Sequence, residues 1–350
     1  MNDLIDVPPG LAGVAVTATE IGDVLGQEGV YHYRGQLAVE LARHSTFETV
    51  ASLVLDGSGA PLVGDRSLPA DVAALVDRLD LRSAMSVFGA SLGLRPLIEI
   101  TPEERVRDAA RLISAMPTLV ASILHRRPVP PDPLLGHVAD FLRMVRGEPA
   151  PPEIVAAMEA FFVLTIDHGF SNSAFATRVV ASSGADLAAC VLAGFGSLTG
   201  PRHGADVERI LDMFDAIDEP QRAEEWMKAE MAARRPLQGF GHSVYRTVDP
   251  RLTLLRDVGA AVNPERQVMA MAVEQAGTRL LAGRGVKPNL DLYSPVVLEG
   301  CGIPRGWFTA TFATARIVGL CAHAIEQATD PKILRPSAHY IGPPPNFMHN

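Results

Sequence analysis

Residues 186–200 read DLAACVLAGFGSLTG, a run with almost no side chain suited to water. A helix that is apolar all round has to be buried, and its alanines and glycines let neighbouring helices approach closely. The run ends directly at GPRHGAD, so a buried helix would deliver His203 to a turn at its C-terminal end.

Helix signals recur on both sides of it. Ser45–Glu48, STFE, reads as a capping box that opens a helix running to Gly57. Thr101-Pro102-Glu103-Glu104 repeats the box with proline at the first helical position, and Asn263-Pro264 does the same job before ERQVMAMAVEQAGTRLLAG, which ends at Gly283. Strand signals are scarce: VAVTA (14–18) and GVYHYRG (29–35) are expected to pair as a small N-terminal hairpin. The proline-rich stretches 126–133 and 147–152 read as connections between helices, and GPPPNFMHN as an extended tail. The chain is expected to be mainly α-helical, without internal repeats.

Length allows one large domain or two, since single cores stop growing at roughly 250–300 residues. A net charge of −9 argues against a nucleic-acid backbone or an anionic membrane as main partner. Basic patches interleaved with aromatics are lacking, as is zinc-ligand spacing. Cys190, Cys301 and Cys321 are widely spaced in apolar surroundings and read as buried thiols of a reducing compartment. No uncharged apolar run reaches membrane-spanning length. The opening MNDLIDVPPGLAGVAV is acidic and broken by proline, unlike a signal or transit peptide. These features together predict a cytoplasmic protein.

Four segments concentrate the residues able to do chemistry. His168 stands just ahead of a helix in IDHGFSNSAFATRVV, and His203 in GPRHGAD. His242, Arg246 and Arg251 share GFGHSVYRTVDPR, and Asp291 lies between two leucines in KPNLDLYSP. Each has a plain structural alternative. His203 reads equally as a histidine solvated in a turn, and Asp291 as the N-cap of LYSPVVLEG. If buried, Asp291 would have the raised pKa a general base needs. Arg316 sits in mid-helix with Phe312, Ala313, Gly319 and Leu320 at helical spacing, an apolar face on which a guanidinium is costly without an anion. That anion is either an internal carboxylate or a substrate's. Taken together, the groups suit one reaction type. A carboxylate removes a proton beside a thioester carbonyl, histidines donate to the enolate oxygen and to an electrophilic carbonyl, and arginines clamp a dicarboxylate. That is a carbon–carbon condensation.

GFGHSVYRTVDPR, with DHGFSNSAFATRVVASSGADL, GPRHGA and PNLDLYS in the same order, resembles the citrate synthase family, and the similarity runs from Gly10 through the LRPSAHYIGP segment. The resemblance implies an all-α fold of many helices with a small N-terminal β-hairpin and an obligate homodimer. A large domain would comprise 1–207 and 313–350, and a small mobile domain 208–312. It implies that Asp291 takes the methyl proton of acetyl-CoA, that His203 bonds the thioester oxygen, and that His242 polarises the oxaloacetate carbonyl. His168, Arg251 and Arg316 would hold oxaloacetate, with the partner subunit's Arg335 reaching in. Arg246 and Arg284 would meet CoA phosphates. No tightly bound cofactor is implied; acetyl-CoA or another acyl-CoA is a co-substrate.

Departures from the family pattern cluster around these residues. Ala205 and Asp206 follow the first motif, Ser171-Asn172-Ser173 replaces the usual Asn-Ala-Ser, and Ser243, Leu292 and Ser337 stand where other residues are common. A 2-methylcitrate synthase using propionyl-CoA, a condensation of another acyl-CoA or 2-oxo acid, and a non-catalytic paralogue that binds a dicarboxylate or a partner protein are the competing readings. Retention of Asp291 argues against the last.

Overall fold

A computed structural model describes residues 5–200, 203 and 207–343. Most of GPRHGAD, including Ala205 and Asp206, and most of the GPPPNFMHN tail lie outside the described residues. The described residues form fifteen α-helices and one three-stranded sheet, as the all-α expectation requires.

The sheet is antiparallel in the order β1 (Gly22–Leu25), β2 (Val30–Tyr33), β3 (Gln36–Leu37). The expected hairpin therefore exists, but its first strand is 22–25 and not 14–18. The turn decides this. Gly29, at φ 68°, donates its N–H to Leu25 O at 2.9 Å and closes a four-residue connection that puts Leu25 opposite Val30. Val14–Ala18 alternates well enough but has no such turn to pair it.

Helices α1 (Ala38–His44), α2 (Phe47–Asp56), α3 (Ala70–Ala73) and α4 (Leu81–Ser91) lead to the long α5 (Pro102–His125). The complete Thr101/Glu104 capping box starts α5 where expected. Ahead of α2 the cap is Thr46, one residue later than expected, because Glu48 instead accepts the His137 N–H at 2.6 Å. The proline-rich connections fall where predicted, between α5, α6 (His137–Arg146) and α7 (Pro152–Thr165). Then come α8 (Asn172–Ala181), α9 (Leu187–Leu198), α10 (Val207–Ile217), α11 (Ala223–Ala232), α12 (Pro250–Val262), α13 (Pro264–Leu281), α14 (Ser294–Gly300) and α15 (Phe308–Gln327). Asn263 caps α13 as predicted, its side chain accepting the Arg266 N–H.

Helix α15 is the axis of the core and packs against α2, α5, α7, α8 and α9. It is long and apolar enough to span a membrane, yet nearly all of it is buried inside the protein. Close approach of α9 to α8 and α15 depends on Gly194, where a Cβ would stand 2.1 Å from Thr177 Oγ1. The expectation that α9 is buried all round holds for one face only. Leu187, Cys190, Val191, Phe195 and Leu198 are buried, while Ala188, Ala189, Leu192 and Ala193 remain half-exposed and Gly196 exposed. Beyond α9, helices α12, α13 and α14 pack together, and α12 also meets α7.

Candidate active site

The first part of the site is built at the end of α7. Its last carbonyls have no partner within the helix, and the sheet supplies them. Tyr31 donates its hydroxyl to Leu164 O (3.0 Å), and Tyr33 donates to Val163 O (2.9 Å) or Asp167 O (3.1 Å). Asp167 follows, buried. It accepts the Gly169 N–H on Oδ2 (2.9 Å) and the His323 ring N–H on Oδ1 (3.2 Å). Arg178 donates Nε–H to His323 Nδ1 at 2.9 Å, which leaves the His323 proton on Nε2 for Asp167. Burial works against the Asp167 charge, but His323, Arg316 and the Gly169 N–H together hold its carboxyl below the usual range. Helix α15 comes within backbone contact here, since a Cβ at Gly319 would lie 2.6 Å from Asp167 Oδ1. His168, next in sequence, is carried into a cleft.

The second part is a pair of extended segments. Gly241 donates to Lys287 O (2.8 Å), Asn289 N–H to Gly239 O (2.9 Å), and the Asn289 amide to Gly241 O (2.7 Å). Gly239 and Gly241 take φ values of 77° and 89°, which only glycine adopts readily. The pairing brings His242 and Asp291 together from positions far apart in the chain. Asp291 lies in the short 3-10 turn Leu290–Leu292, whose cap is Asn289: its side chain accepts the Asp291 N–H at 3.0 Å. The reading of Asp291 as a helix N-cap is thereby overturned, and Asp291 lines the cleft.

Asp249 ties the pieces. It caps α12 and is almost fully buried. One oxygen accepts the Arg251 N–H (3.1 Å) and Nε–H (2.9 Å); the other accepts Arg251 Nη2 (2.8 Å) and the Leu290 N–H (3.1 Å). Arg251 is thus paired with its own neighbour while still facing the cleft. Arg316 is different. It donates Nε–H to Thr165 O at 2.8 Å and lies over the Phe312 ring, 4.8 Å from its centroid. Burial pulls its pKa down, and no ion pair to it exists among the described residues. The internal carboxylate nearest in effect is Asp167, whose charge partly offsets the burial of Arg316 without a direct ion pair among the described residues, and Arg316 also lines the cleft.

One cavity of about 600 Å³ is lined by His168, His203, His242, Arg251, Asp291 and Arg316. All three histidines are held neutral near pH 7. Burial, then Arg316, pushes His203 down to about 4; burial, then Arg251, pushes His242 to about 4; and burial with Arg251 and Arg316 holds His168 well below its ordinary value. For His242 the proton location follows as well: Nδ1 accepts the Val244 and Tyr245 N–H groups, both at 3.0 Å, so the proton sits on Nε2. His203 Nε2 meets Ser173 Oγ at 3.0 Å, and Ser173 in turn meets Ser171, the α8 cap, at 3.1 Å. The site thus offers neutral hydrogen-bond donors, two arginine cations and two carboxylates, Asp291 and the exposed Asp23.

The remaining candidates lie outside that cavity. Arg246 borders an adjoining cavity with Lys287 and Gly285, its guanidinium folded onto the carbonyls of its own loop. Arg284 is exposed in a short 3-10 turn beside it. Arg335 is exposed on the segment after α15. Among the described residues no cluster of His, Cys, Asp and Glu is arranged to hold a metal ion. Sequence reasoning missed Asp249, Asn289, Ser173 and Tyr245 as supporting groups. Asp249 and Tyr245 were in plain view within the glycine–histidine segment; Asn289 carried only the weak signal of an Asn directly before a turn.

Residues 10–337 match the family described as Citrate synthase, C-terminal domain. The chain is 32% identical to Putative citrate synthase 2 of Mycobacterium tuberculosis over 349 residues, 96% of this chain and 93% of the relative. It is 33% identical to the 2-methylcitrate synthase of the same organism over 363 residues, 96% and 91% of the two chains. Among solved structures, the ternary complex of citrate synthase from Thermoplasma acidophilum with carboxymethyl coenzyme A and oxaloacetate superposes with a TM-score of 0.89. It is 25% identical and covers 99% of this chain and 98% of its own.

Proposed function

The chain belongs to the citrate synthase family, and from that premise we propose that it condenses acetyl-CoA with oxaloacetate to give citrate and free CoA. The observation that carries this reading is the convergence of Asp291, three neutral histidines and two arginines on one cavity, whose only other carboxylate among the described lining residues is the exposed Asp23. Asp291 takes a proton from the acetyl methyl group while His203 donates to the thioester oxygen that gains charge. The enol carbon then attacks the keto carbon of oxaloacetate, and His242 Nε2–H donates to the oxygen that becomes a hydroxyl. Arg251, Arg316 and His168 hold the two carboxylates in line, and water releases CoA from citryl-CoA. Neutral imidazoles suit this, because they stabilise developing oxyanions without a formal proton loss beforehand. A single such donor is worth about 10²–10³ in kcat.

Several finer features belong to the same reading. The cavity walls come from residues on either side of 208 and 312, which supports a cleft between a large domain (1–207 and 313–350) and a small one (208–312) that closes on substrate. The half-exposed small residues of α9, with exposed Val179 on α8, support a homodimer through that face. Arg335, exposed and not among the residues lining its own cleft, would then complete the partner's. Arg246 and Arg284 flank the cavity beside Lys287 and would meet CoA phosphates. Three free, buried cysteines suit the reducing cytoplasm.

Relatives named citrate synthase and 2-methylcitrate synthase both match 96% of this chain, and one methylene is worth only about 1–3 kcal/mol in an acyl pocket. The test is thiol release from acetyl-CoA and from propionyl-CoA with oxaloacetate. Asp291→Asn should lose about 10²–10⁴-fold in kcat, the span of general-base catalysis, while still binding oxaloacetate. A folded, oxaloacetate-binding wild type inactive with both donors would overturn the enzyme reading; equal rates for Asp291→Asn would remove Asp291 as the base.

A further inference from the structure

The Tyr245 ring packs against two of the histidines that line the cavity, whose own ring centroids are 5.4 Å apart. Its centroid is 4.5 Å from that of His242 and 5.5 Å from that of His168, and its hydroxyl is 3.0 Å from His168 Nε2. We propose that Tyr245 is a positioning residue that fixes the tautomers of both: its hydroxyl donates to His168 Nε2, leaving His168 as an Nδ1–H donor, and its backbone N–H helps hold His242 as an Nε2–H donor.

The direction of the first bond follows from elimination. Tyr245 is only 4% exposed, and His168 is the one hydrogen-bond partner of its hydroxyl among the described residues. Were the hydroxyl the acceptor, its own proton would be left without a partner in a buried place, which is costly. Burial pushes the Tyr245 ionisation upward, so the proton to donate is always present. Burial together with Arg251 and Arg316 keeps His168 neutral, so Nε2 has a lone pair to accept it. The remaining proton of the neutral imidazole is then on Nδ1. Two histidines of opposite tautomer thus line the same cavity, and Tyr245 takes part in setting both, alone at His168 and with the Val244 N–H at His242. The catalytic consequence rests on the condensation reading above; the tautomer assignment does not.

The experiment uses full-length protein with ¹⁵N-labelled histidine, in which the pattern of ring ¹⁵N shifts and long-range couplings reports which nitrogen carries the proton. His168→Gln identifies the His168 signals. Wild type should show His168 protonated at Nδ1 and His242 at Nε2. Tyr245→Phe, which keeps the ring and the backbone N–H, should shift the His168 tautomer population and leave His242 unchanged. Oxaloacetate KM should then rise about three- to tenfold, the range of one neutral hydrogen bond, with a smaller change in kcat. A wild-type His168 proton on Nε2 overturns the assignment even if Tyr245→Phe does not fold. An unchanged His168 signal and unchanged KM in folded Tyr245→Phe does so too, and a disturbance of His168 and His242 alike would mark a merely structural role. Oxaloacetate affinity by calorimetry stands in for KM should the protein fail to turn over, which separates this proposal from the condensation reading.

Discussion

Asp249→Asn changes one heavy atom in the most heavily used carboxylate of the site. Four N–H donors converge on Asp249, three from Arg251 and one from Leu290. An amide keeps one acceptor oxygen and turns the other into a donor, so it cannot serve both halves of that set. Whichever way the amide faces, it loses at least one contact to Arg251 and leaves a buried guanidinium, 2% exposed, without a counter-charge. Breaking a buried pair in this way costs about 3–5 kcal/mol. Urea denaturation at neutral pH, compared by midpoint and slope with wild type, reads that loss. Saturating oxaloacetate should raise the variant's midpoint more than the wild type's, because a substrate carboxylate replaces the missing charge. The effect also has a pH signature. Burial opposes the Asp249 charge, but Arg251 holds its carboxyl below the ordinary carboxylate value. The stabilisation is therefore complete above that ordinary value and is lost as pH falls through the depressed one, so wild type and variant converge in acid. A variant within about 0.5 kcal/mol of wild type at neutral pH, the range of an ordinary surface substitution, would refute the argument that Asp249 supplies the buried counter-charge.

Two further expectations concern the cavity and its supports. His203 and His242 act as neutral donors with their pKa values pushed down to about 4, so kcat/KM should show no descending limb near the ordinary histidine value of 6.5; a loss of activity centred there would contradict that state. Gly277→Ala would put a Cβ 2.1 Å from the Phe240 ring, so it should destabilise by about 1–3 kcal/mol, as overpacking does. It should also lower kcat by shifting the segment that carries His242. A thermal melt and a turnover assay on the same sample check both, and an unchanged melt would mean that the ring relocates freely.

Helix starts were the most legible part of the fold, because a cap is a local event: Thr101 with Glu104, and Asn263, needed nothing beyond their own neighbours. Ser45 misled by one residue because Glu48 is claimed by the His137 backbone, a partner no local pattern reveals. Val14–Ala18 misled because alternation without a turn does not choose a strand's partner. In the site, the identities of His168, His203, His242, Arg251, Asp291 and Arg316 could be read, yet each had a plausible structural alternative until they shared a cavity. What could not be read was the support, since the Asn289 amide donates to Gly241 O and Asp249 accepts the Leu290 N–H, partners that folding alone brings within reach.

The tip of the β1–β2 hairpin touches the histidine loop through backbone alone. Gly26 O accepts the Arg246 N–H at 2.9 Å. A Cβ on Gly26 would lie 2.3 Å from Val244 O, and one on Gly29 2.5 Å from Thr247 Oγ1. The two residues between them, Gln27 and Glu28, point into solvent. A contact of this kind is specified by what is missing from it. Over generations of drift, Gln27 and Glu28 can take almost any polar identity without consequence, while the flanking glycines are bound to the fate of a loop at the other end of the chain.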